Sequence, residues 1–329
     1  APRAEASDGG APLTRVGTFN YCVNRGKRSF DAAFLDLAGR HPDYAGGALF
    51  TYFDTYGGKQ HPDLGSWPRV VRLIERSVTN DFDNKQTFAR QLQSTGCEHA
   101  FAKTYLSVDE ALVGTEGCAD ALFFVKSPYG TAGKGMRVCS RAGLRETSVE
   151  AGHVIQRAVQ DLALIDGHKF VVRFFVLIHD GTALAHRRAI AIIHGPAYDR
   201  TSTDYDVQIC HDTSKVGSAV RCCPLGSLPE GAAWHRSIAQ RVLEVFPALQ
   251  PLLDRSSADR YCIIGLDALI DSTGAARLIE ANMYPNLWDL VEEINVEVKQ
   301  AMLRDALARM LLGESPPELQ PMDVAALGS

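Results

Sequence analysis

Three oxygen-bearing side chains fall close together in an otherwise apolar stretch near the end of the chain. Asp267, Glu280 and Asn282 all lie within residues 265–282. Carboxylates are costly to bury unless something positive compensates them, and a hard cation does so. Mg²⁺ takes a few protein oxygens and completes its shell with water and nucleotide phosphates, so these residue types suit a magnesium site. The alternative is a solvated hairpin face on which the asparagine only caps the backbone.

The spacing of these residues also predicts how they meet. Two apolar runs flank residues 271–274, whose composition is typical of a tight turn, so the segment is expected to form a hairpin. If Ile270 faces Ala275, the ladder pairs Asp267 with Leu278. Because side chains alternate between the faces of a strand, all three oxygen-bearing residues then share one face.

A lysine and a glycine-rich run form a second group. Lys126 closes an apolar run, and the following segment includes Gly133, Lys134 and Gly135. Glycines let the backbone approach a ligand closely, and such a loop can lay N–H groups and Lys134 over phosphates. The Walker spacing Gly-x4-Gly-Lys-Ser/Thr is absent, because Met136 follows the second glycine. A simple turn is the alternative interpretation.

Residues 169–178 alternate so that one face is apolar and the other carries two cations, Lys169 and Arg173. The dipeptide Asp180-Gly181 predicts a two-residue hairpin, and pairing the residues that flank it places Arg188 across from Arg173. Like charges directly opposite are destabilising, which makes sense if an anion such as a carboxylate or phosphate sits between them. The alternative is that Arg188 lies on an exposed edge strand and only Arg173 matters.

The elements that must position these residues predict an α/β (α+β) protein. Strands are expected at 48–53, 70–74, 122–126, 136–139, 154–156, 170–178 and 183–193, and helices at 31–38, 87–92, 234–253 and 290–312. The predicted divisions are a flexible terminus at 1–13, an N-terminal α/β domain at 14–84, a central lobe at 85–156, a C-terminal lobe at 157–313 and a tail at 314–329.

Composition excludes several classes of function. The chain has 329 residues, 46% hydrophobic content and a formal charge of −5, so it lacks the basic footprint that nucleic-acid binding needs. The longest apolar candidate, 170–178, is far short of the roughly 18 residues of a membrane span. The start of the chain also lacks signal-peptide character, and a cytoplasmic location is expected. Eight cysteines show no Cys-x-x-Cys pair, which argues against a zinc site; Cys222-Cys223 is the pair with potential redox behaviour.

Taken in order, these stretches resemble the tubulin tyrosine ligase family of the ATP-grasp superfamily. The similarity runs from about residue 80 to 287, and the ordered series is more specific than any single motif. The matching stretches are 79–85 (TNDFDNK), 124–128 (FVKSP) with 133–135 (GKG), 154–157 (VIQR), 164–170 (LIDGHKF), 210–213 (CHDT), 266–267 (LD) and 278–282 (LIEAN).

The resemblance implies an ATP-grasp fold, in which two lobes with antiparallel sheets hold ATP between them. It implies ATP and Mg²⁺ as cofactors, with Asp267, Glu280 and Asn282 as magnesium ligands. By the same resemblance, Lys85 and Lys126 reach phosphates under the loop Gly133-Lys134-Gly135. Lys169 and the segment Gln156, Arg157, Ala158 and Val159 serve the adenosine end, and Arg173 and Arg188 hold a substrate carboxylate.

Two positions depart from the family pattern. The aspartate expected after Lys169-Phe170 is Val171, so one nucleotide contact is lost or replaced. A further family arginine corresponds to Ile192. Recognition of the family's acceptor therefore does not transfer as a whole.

The function expected from this resemblance is an ATP-dependent ligase that joins a carboxylate to an amine through an acyl phosphate. A free amino acid or small peptide is the expected partner. The alternatives are a ligase that modifies a protein tail or side chain, a kinase on the same fold, and a scaffold that has lost catalysis. Neither the substrates nor the oligomeric state follow from the sequence.

Overall fold

A computed structural model of the chain describes residues 13–53, 64–130, 133, 135–209, 219–285, 287 and 293–322. Residues 1–12 of the terminus predicted at 1–13, residues 323–329 of the predicted tail, Lys134 and the 210–213 stretch lie outside these residues. The strands are β1 (Thr14–Val16), β2 (Phe19–Val23), β3 (Ala48–Tyr52), β4 (Arg69–Leu73), β5 (Thr104–Tyr105), β6 (Leu122–Lys126), β7 (Arg137–Ser140), β8 (Val154–Arg157), β9 (Phe170–His179), β10 (Thr182–His186), β11 (Ile190–Ile193), β12 (Arg221–Pro224), β13 (Arg260–Ile270), β14 (Ala276–Asn282) and β15 (Leu319–Pro321). The helices are α1 (Lys27–Arg40), α2 (Arg76–Asp83), α3 (Lys85–Ser94), α4 (Val108–Val113), α5 (Arg141–Glu146), α6 (Tyr205–Gln208), α7 (Gly231–Glu244), α8 (Phe246–Arg255) and α9 (Glu293–Leu307).

The described strands form two sheets, one large and mixed and one small and antiparallel. The large sheet runs β1-β2-β3-β4-β13-β9-β10-β15, with β14 beside β13, β11 beside β9 and β12 beside β11. The small sheet runs β5-β8-β6-β7. The expected α+β class is therefore confirmed. Because β4 pairs in parallel with β13, the strands of the predicted N-terminal domain join the same sheet as the later ones; the domain boundaries remain a prediction.

Strand β9 lies at the centre of the large sheet and has the two faces that its sequence predicts. Phe170 and Phe174 belong to one hydrophobic core, where Phe170 stacks on Trp234 of α7 with ring centroids 5.1 Å apart. Phe175 and Leu177 belong to a second core, which α1 and α9 cover on the opposite face. Arg173, Val171 and Lys169 precede Phe175 on this second face, and the two cations among them are residues predicted for the site.

The strand expected at 183–193 is interrupted, and this corrects one prediction. Thr182 pairs with His179 as predicted, but β10 ends at His186 and β11 starts at Ile190. Ile190 therefore pairs with Arg173 in the place predicted for Arg188. The physical reason is a change of partner strand: β10 pairs with β15 on its outer edge, whereas β11 pairs with β12.

The hairpin β13–β14 has a different register from the predicted one, because it contains a β-bulge. Ile270 pairs with Ala276 and Ala268 with Leu278, and after the bulge Asp267 pairs with Glu280. A slip of one residue would have turned Glu280 to the opposite face, and the extra residue of the bulge, Ile279, reverses that slip. The predicted pairing of Asp267 with Leu278 is wrong, whereas the predicted common face is present.

One predicted helix also differs from expectation. The helix predicted at 234–253 is two helices, α7 and α8, separated at Val245, with Pro247 in the first turn of α8. Proline cannot donate the backbone hydrogen bond that a continuous helix needs, but it suits a helix start.

Within the described ranges, no helix is both long and apolar enough to cross a bilayer.

The cysteines of the described part are free thiols, and most are buried. Cys222 and Cys223 lie on β12. Burial raises the pKa of the Cys223 thiol, which disfavours the reactive thiolate. This position gives no support to a redox role for the pair.

Candidate functional site

A cavity lies between the two sheets, with about 540 Å³ of empty space when the part open to solvent is included. The small sheet contributes residues of β6 and β8, and the large sheet contributes residues of β9, β13 and β14. The lining residues are Ala102, Phe124, Lys126, Met136, Gln156, Arg157, Val159, Lys169, Val171, His194, Gln208, Ile209, Asp267, Leu269, Ile279 and Glu280. Apolar walls with a few converging polar groups are typical of a small-molecule site.

Lys126 occupies the small-sheet wall of this cavity. It is the last residue of β6, and its side chain is buried, with its Nζ donating to Gln156 Oε1 at 2.7 Å. Burial lowers the pKa of the Lys126 ammonium to about 8, because desolvation penalises the charged form. A partly dehydrated cation of this kind binds an incoming anion more strongly than an exposed one does.

Lys169 faces it from the large sheet. The residue precedes β9, and its Nζ donates to the carbonyl oxygen of Gln208 at 2.7 Å and to Gln208 Oε1 at 3.2 Å. It also lies 5.0 Å from the centre of the Phe124 ring. Burial, with a smaller contribution from Lys126, lowers the pKa of Lys169 to about 7. Two buried amines thus line opposite walls of one cavity.

Asp267 and Arg173 form a buried ion pair at the cavity edge. The two residues are cross-strand partners on β13 and β9. Arg173 Nε and Nη2 donate to the two carboxylate oxygens at 2.5 Å and 2.9 Å. This forked geometry uses much of the guanidinium, so Arg173 is less available for a substrate carboxylate than the sequence predicted.

Glu280 is neutralised by a different element. Its Oε1 lies 3.0 Å from Nζ of Lys85, the first residue of α3. Burial alone would raise the pKa of Glu280, but the charges of Lys85 and Lys126 outweigh burial and lower it. Asn84, the N-cap of α3, accepts from the backbone N–H groups of Gln86 and Thr87 at 3.0 Å each, which fixes where Lys85 leaves the helix.

The donor set fits a magnesium ion in residue type and placement. Asp267 and Glu280 are paired on the ladder, and Asn282 follows on the same face. Because Asn282 Nδ2 donates to the Gly265 carbonyl at 3.3 Å, Oδ1 is the amide atom left for a cation. Within the residues that the structure describes, no group of three His, Cys, Asp or Glu side chains gathers as a metal site; the set here has two carboxylates and an amide.

Met136, at the end of the glycine loop between β6 and β7, lines the cavity. A Cβ atom on Gly133 would lie 2.6 Å from the Tyr205 hydroxyl and 2.7 Å from Ile209, so the loop touches the α6 region closely. Lys85 ties the loop from the other side, since its Nζ donates to the Gly130 carbonyl at 2.8 Å. Gly135 is exposed.

The segment predicted to serve adenosine is divided between two cavities. Gln156, Arg157 and Val159 line the main cavity. Ala158 instead lines a neighbouring cavity, which Val159 also borders. The backbone N–H of Ala158 donates to the Leu122 carbonyl at 2.9 Å.

Arg188 is not at this site, which corrects its predicted pairing with Arg173. Its side chain is 41% exposed and lies 3.2 Å from Glu297. It borders a separate groove between α1 and α9. The interruption between β10 and β11 removes Arg188 from the sheet, and its backbone N–H donates to His186 Nδ1 at 3.2 Å.

Several cavity residues were not predicted from the sequence. Met136, His194, Gln208 and Ile209 all line the cavity. Val171, a departure from the family pattern, also lines it and pairs directly with Ile192, the other departure. The two departures from the family pattern are therefore cross-strand neighbours, although twenty residues separate them in the sequence.

Comparison with known proteins does not identify the chain. No protein-family model matches it, and no curated protein matches it.

Proposed function

We propose that this protein is an ATP-dependent ligase of the ATP-grasp type, which joins a carboxylate to an amine. The observation that supports it most is the cavity between the two sheets, in which two buried lysines face each other and two paired carboxylates lie at one end. Lysines suit nucleotide phosphates, and the carboxylates suit the magnesium that accompanies them. The resemblance to the tubulin tyrosine ligase family supports the same assignment.

In this proposal the residues of the chain bind and orient the reactants. Lys126 and Lys85 contact phosphates, whereas Lys169, Gln156 and Val159 surround the nucleoside. Asp267, Glu280 and Asn282 hold Mg²⁺, which stabilises negative charge on the phosphoryl oxygens when it is bound.

The glycine loop excludes water from the reacting groups. The γ-phosphoryl group passes to a carboxylate oxygen, and an amine then attacks the carbonyl carbon of the acyl phosphate. Phosphate leaves with one oxygen from the carboxylate, and no covalent bond to the protein is needed.

The carboxylates that would hold Mg²⁺ are neutralised by ion pairs in the structure, and these pairs would change if the ion were bound. Lys85 contacts Glu280 and Arg173 contacts Asp267, so each carboxylate already has an organic cation. If Asp267 and Glu280 held Mg²⁺, Lys85 would no longer be needed to neutralise Glu280, and its ammonium would be free to contact a phosphate. Lys85 also donates to the Gly130 carbonyl, so a movement of the Lys85 side chain would also change this contact with the loop.

Phosphate release distinguishes this function from its rivals. The protein is incubated with ATP, Mg²⁺ and pooled amino acids. Release that requires both a carboxylate and an amine supports the ligase. A phosphorylated product that persists without an amine indicates a kinase, and tight ATP binding without turnover indicates a scaffold. Turnover with acidic protein tails but not with free amino acids favours the protein-modifying alternative.

A further inference from the structure

Gln208 stands out as a buried polar residue that the expected chemistry leaves without a role. It is the last residue of the short helix α6 and is only 3% exposed. Its Nε2 donates to the Asp199 carbonyl at 2.8 Å and to the Ser202 carbonyl at 3.1 Å. Both amide hydrogens are therefore used on the backbone of one turn. This geometry fixes the amide plane and leaves Oε1 facing Lys169.

Lys169 depends on this one residue for two acceptors. The Gln208 carbonyl and Oε1 both accept from Lys169 Nζ, at 2.7 Å and 3.2 Å. Neither acceptor is a carboxylate, so the two hydrogen bonds orient the Lys169 ammonium without neutralising its charge. Such an amine keeps its charge available for a ligand that enters the cavity.

The same helix also meets the glycine loop. Tyr205, at the start of α6, and Ile209, just after it, lie against Gly133. The side chain of Asp204 caps α6 by accepting from Asp206 and Val207 backbone N–H groups at 2.7 Å and 3.2 Å. A helix of one turn thus connects Gly133 of the glycine loop with the lysine on the cavity wall.

We propose that Gln208 is a positioning residue that holds the Lys169 ammonium at the cavity wall and links its position to the glycine loop. That Lys169 then contacts a nucleotide rests on the proposed function. The positioning itself rests only on the contacts of α6, so the two claims can be tested separately.

The first test follows the reactivity of Lys169 in the ligand-free protein. Acetic anhydride is small and acetylates only neutral amines, so the pH midpoint of Lys169 acetylation relative to an added reference amine, read by mass spectrometry of its peptide, reports the ionisation of the ammonium. The other titratable groups that line the cavity are Lys126, Arg157, His194, Asp267 and Glu280. They are common to all variants, so a difference in midpoint reports the substitution.

Gln208→Met keeps the side-chain volume but removes the Oε1 acceptor. We expect the midpoint for Lys169 to fall by about one pH unit, so that at pH 6 the rate relative to its plateau rises about fivefold. Gln208→Glu is expected to raise the midpoint, because it adds a negative charge beside the amine. Gln93→Met, on the exposed face of α3, is the matched control and keeps the wild-type midpoint.

A purely structural role for Gln208 gives the opposite sign. If Gln208→Met only loosened α6, water would reach Lys169 and the midpoint would rise toward that of an ordinary lysine. A rise or an unchanged midpoint in Gln208→Met overturns the proposal. Should that variant not fold, an unchanged midpoint in Gln208→Glu overturns it equally.

ATP titration then separates this inference from the proposed function. If Gln208 acts through Lys169, Gln208→Met weakens ATP binding in the wild-type background but not further in Lys169→Met. Equal effects in both backgrounds overturn the positioning role. Wild-type protein that shows the expected midpoints but does not bind ATP leaves Gln208 as a positioning residue and overturns the nucleotide assignment alone.

Discussion

Asp267 and Glu280 are direct cross-strand partners on β13 and β14, and each contacts a cation from a different element. Arg173 comes from the neighbouring strand and Lys85 from the start of α3. Two carboxylates side by side repel each other, so this pairing is stable only with such compensation. The stability of the site should therefore respond both to loss of a cation and to added Mg²⁺.

Arg173→Met tests this compensation. The substitution leaves Asp267 buried and beside Glu280 without its main partner, which we expect to lower the free energy of unfolding by roughly 3–5 kcal/mol. Added Mg²⁺ should restore more stability to Arg173→Met than to the wild type, because binding to the folded state alone is stabilising. Urea denaturation with and without Mg²⁺ measures both effects.

Arg188→Met is the matched control, since Arg188 is exposed and remote from the site. Its free energy of unfolding should stay within about 0.5 kcal/mol of the wild type. The structure places Arg173 at the site and Arg188 outside it. An equal loss of unfolding free energy in both variants would refute that distinction.

The buried lysines make stability depend on pH. Burial lowers the pKa of Lys169 to about 7 from 10.5, so between these values the unfolded chain holds a proton that the folded protein has released. Stability therefore rises with pH across this window and is lower below it, and Lys126 adds a similar rise above about pH 8. Denaturation at several pH values should show a smaller rise in Lys169→Met, by on the order of a few kcal/mol.

The exposed residue Lys103 provides the comparison for this experiment. Lys103→Met is expected to keep the wild-type slope of stability against pH. If Lys169→Met also kept that slope, the lowered pKa of Lys169 would be wrong.

The glycine loop can be tested with two glycines of similar backbone. Gly133 and Gly135 both have positive φ, at +70° and +72°, so alanine strains both. Only at Gly133 would the new Cβ meet Tyr205 and Ile209; at Gly135 nothing lies within 4 Å among the described residues. We expect Gly133→Ala to weaken ATP binding about tenfold more than Gly135→Ala does, because it pushes the loop off the α6 region.

Isothermal titration calorimetry with ATP and Mg²⁺ compares the two variants. Equal losses would mean that backbone strain, and not contact with α6, explains the effect. A normal affinity in Gly133→Ala would show that the loop does not cover the nucleotide.

Val171 and Ile192 should behave as one unit. Ile192→Arg alone adds a cation on the face that already carries Lys169 and Arg173, and we expect it to destabilise the protein by about 3 kcal/mol. Val171→Asp in the same chain places a carboxylate directly opposite, so the double variant should recover about 1–3 kcal/mol relative to the sum of the single changes. A double-mutant cycle by urea denaturation measures this coupling, and additive effects would contradict the pairing of the two side chains.

Periodicity predicted strands in both sheets. Strands β6 and β9 begin where their apolar runs begin, and the alternation along β9 assigns Lys169 and Arg173 to the cavity face. These strands are predictable because burial of one or both faces requires a regular pattern of apolar residues within a single segment.

Features that depend on pairing between distant segments were not predictable. The bulge beside Asp267 adds one residue to β14, and no residue type in 276–282 demands it. Arg188 lies outside the sheet because the strand predicted at 183–193 is divided into two. Its first part, β10, pairs with β15, whereas its second part, β11, pairs with β12. Gln208 lies in a helix of four residues, which is too short for a periodic signal, so only its contacts reveal its position.

The most direct test of the ligase follows oxygen from the carboxylate into phosphate. The protein is given ATP, Mg²⁺, unlabelled amine and amino acids labelled with ¹⁸O in their carboxylates, and the released phosphate is analysed by mass spectrometry. We expect one ¹⁸O atom in each phosphate, formed only when a carboxylate and an amine are present, and no release by Glu280→Gln. Phosphate that carries oxygen from water alone, or release that Glu280→Gln leaves unchanged, would contradict an acyl phosphate at this site.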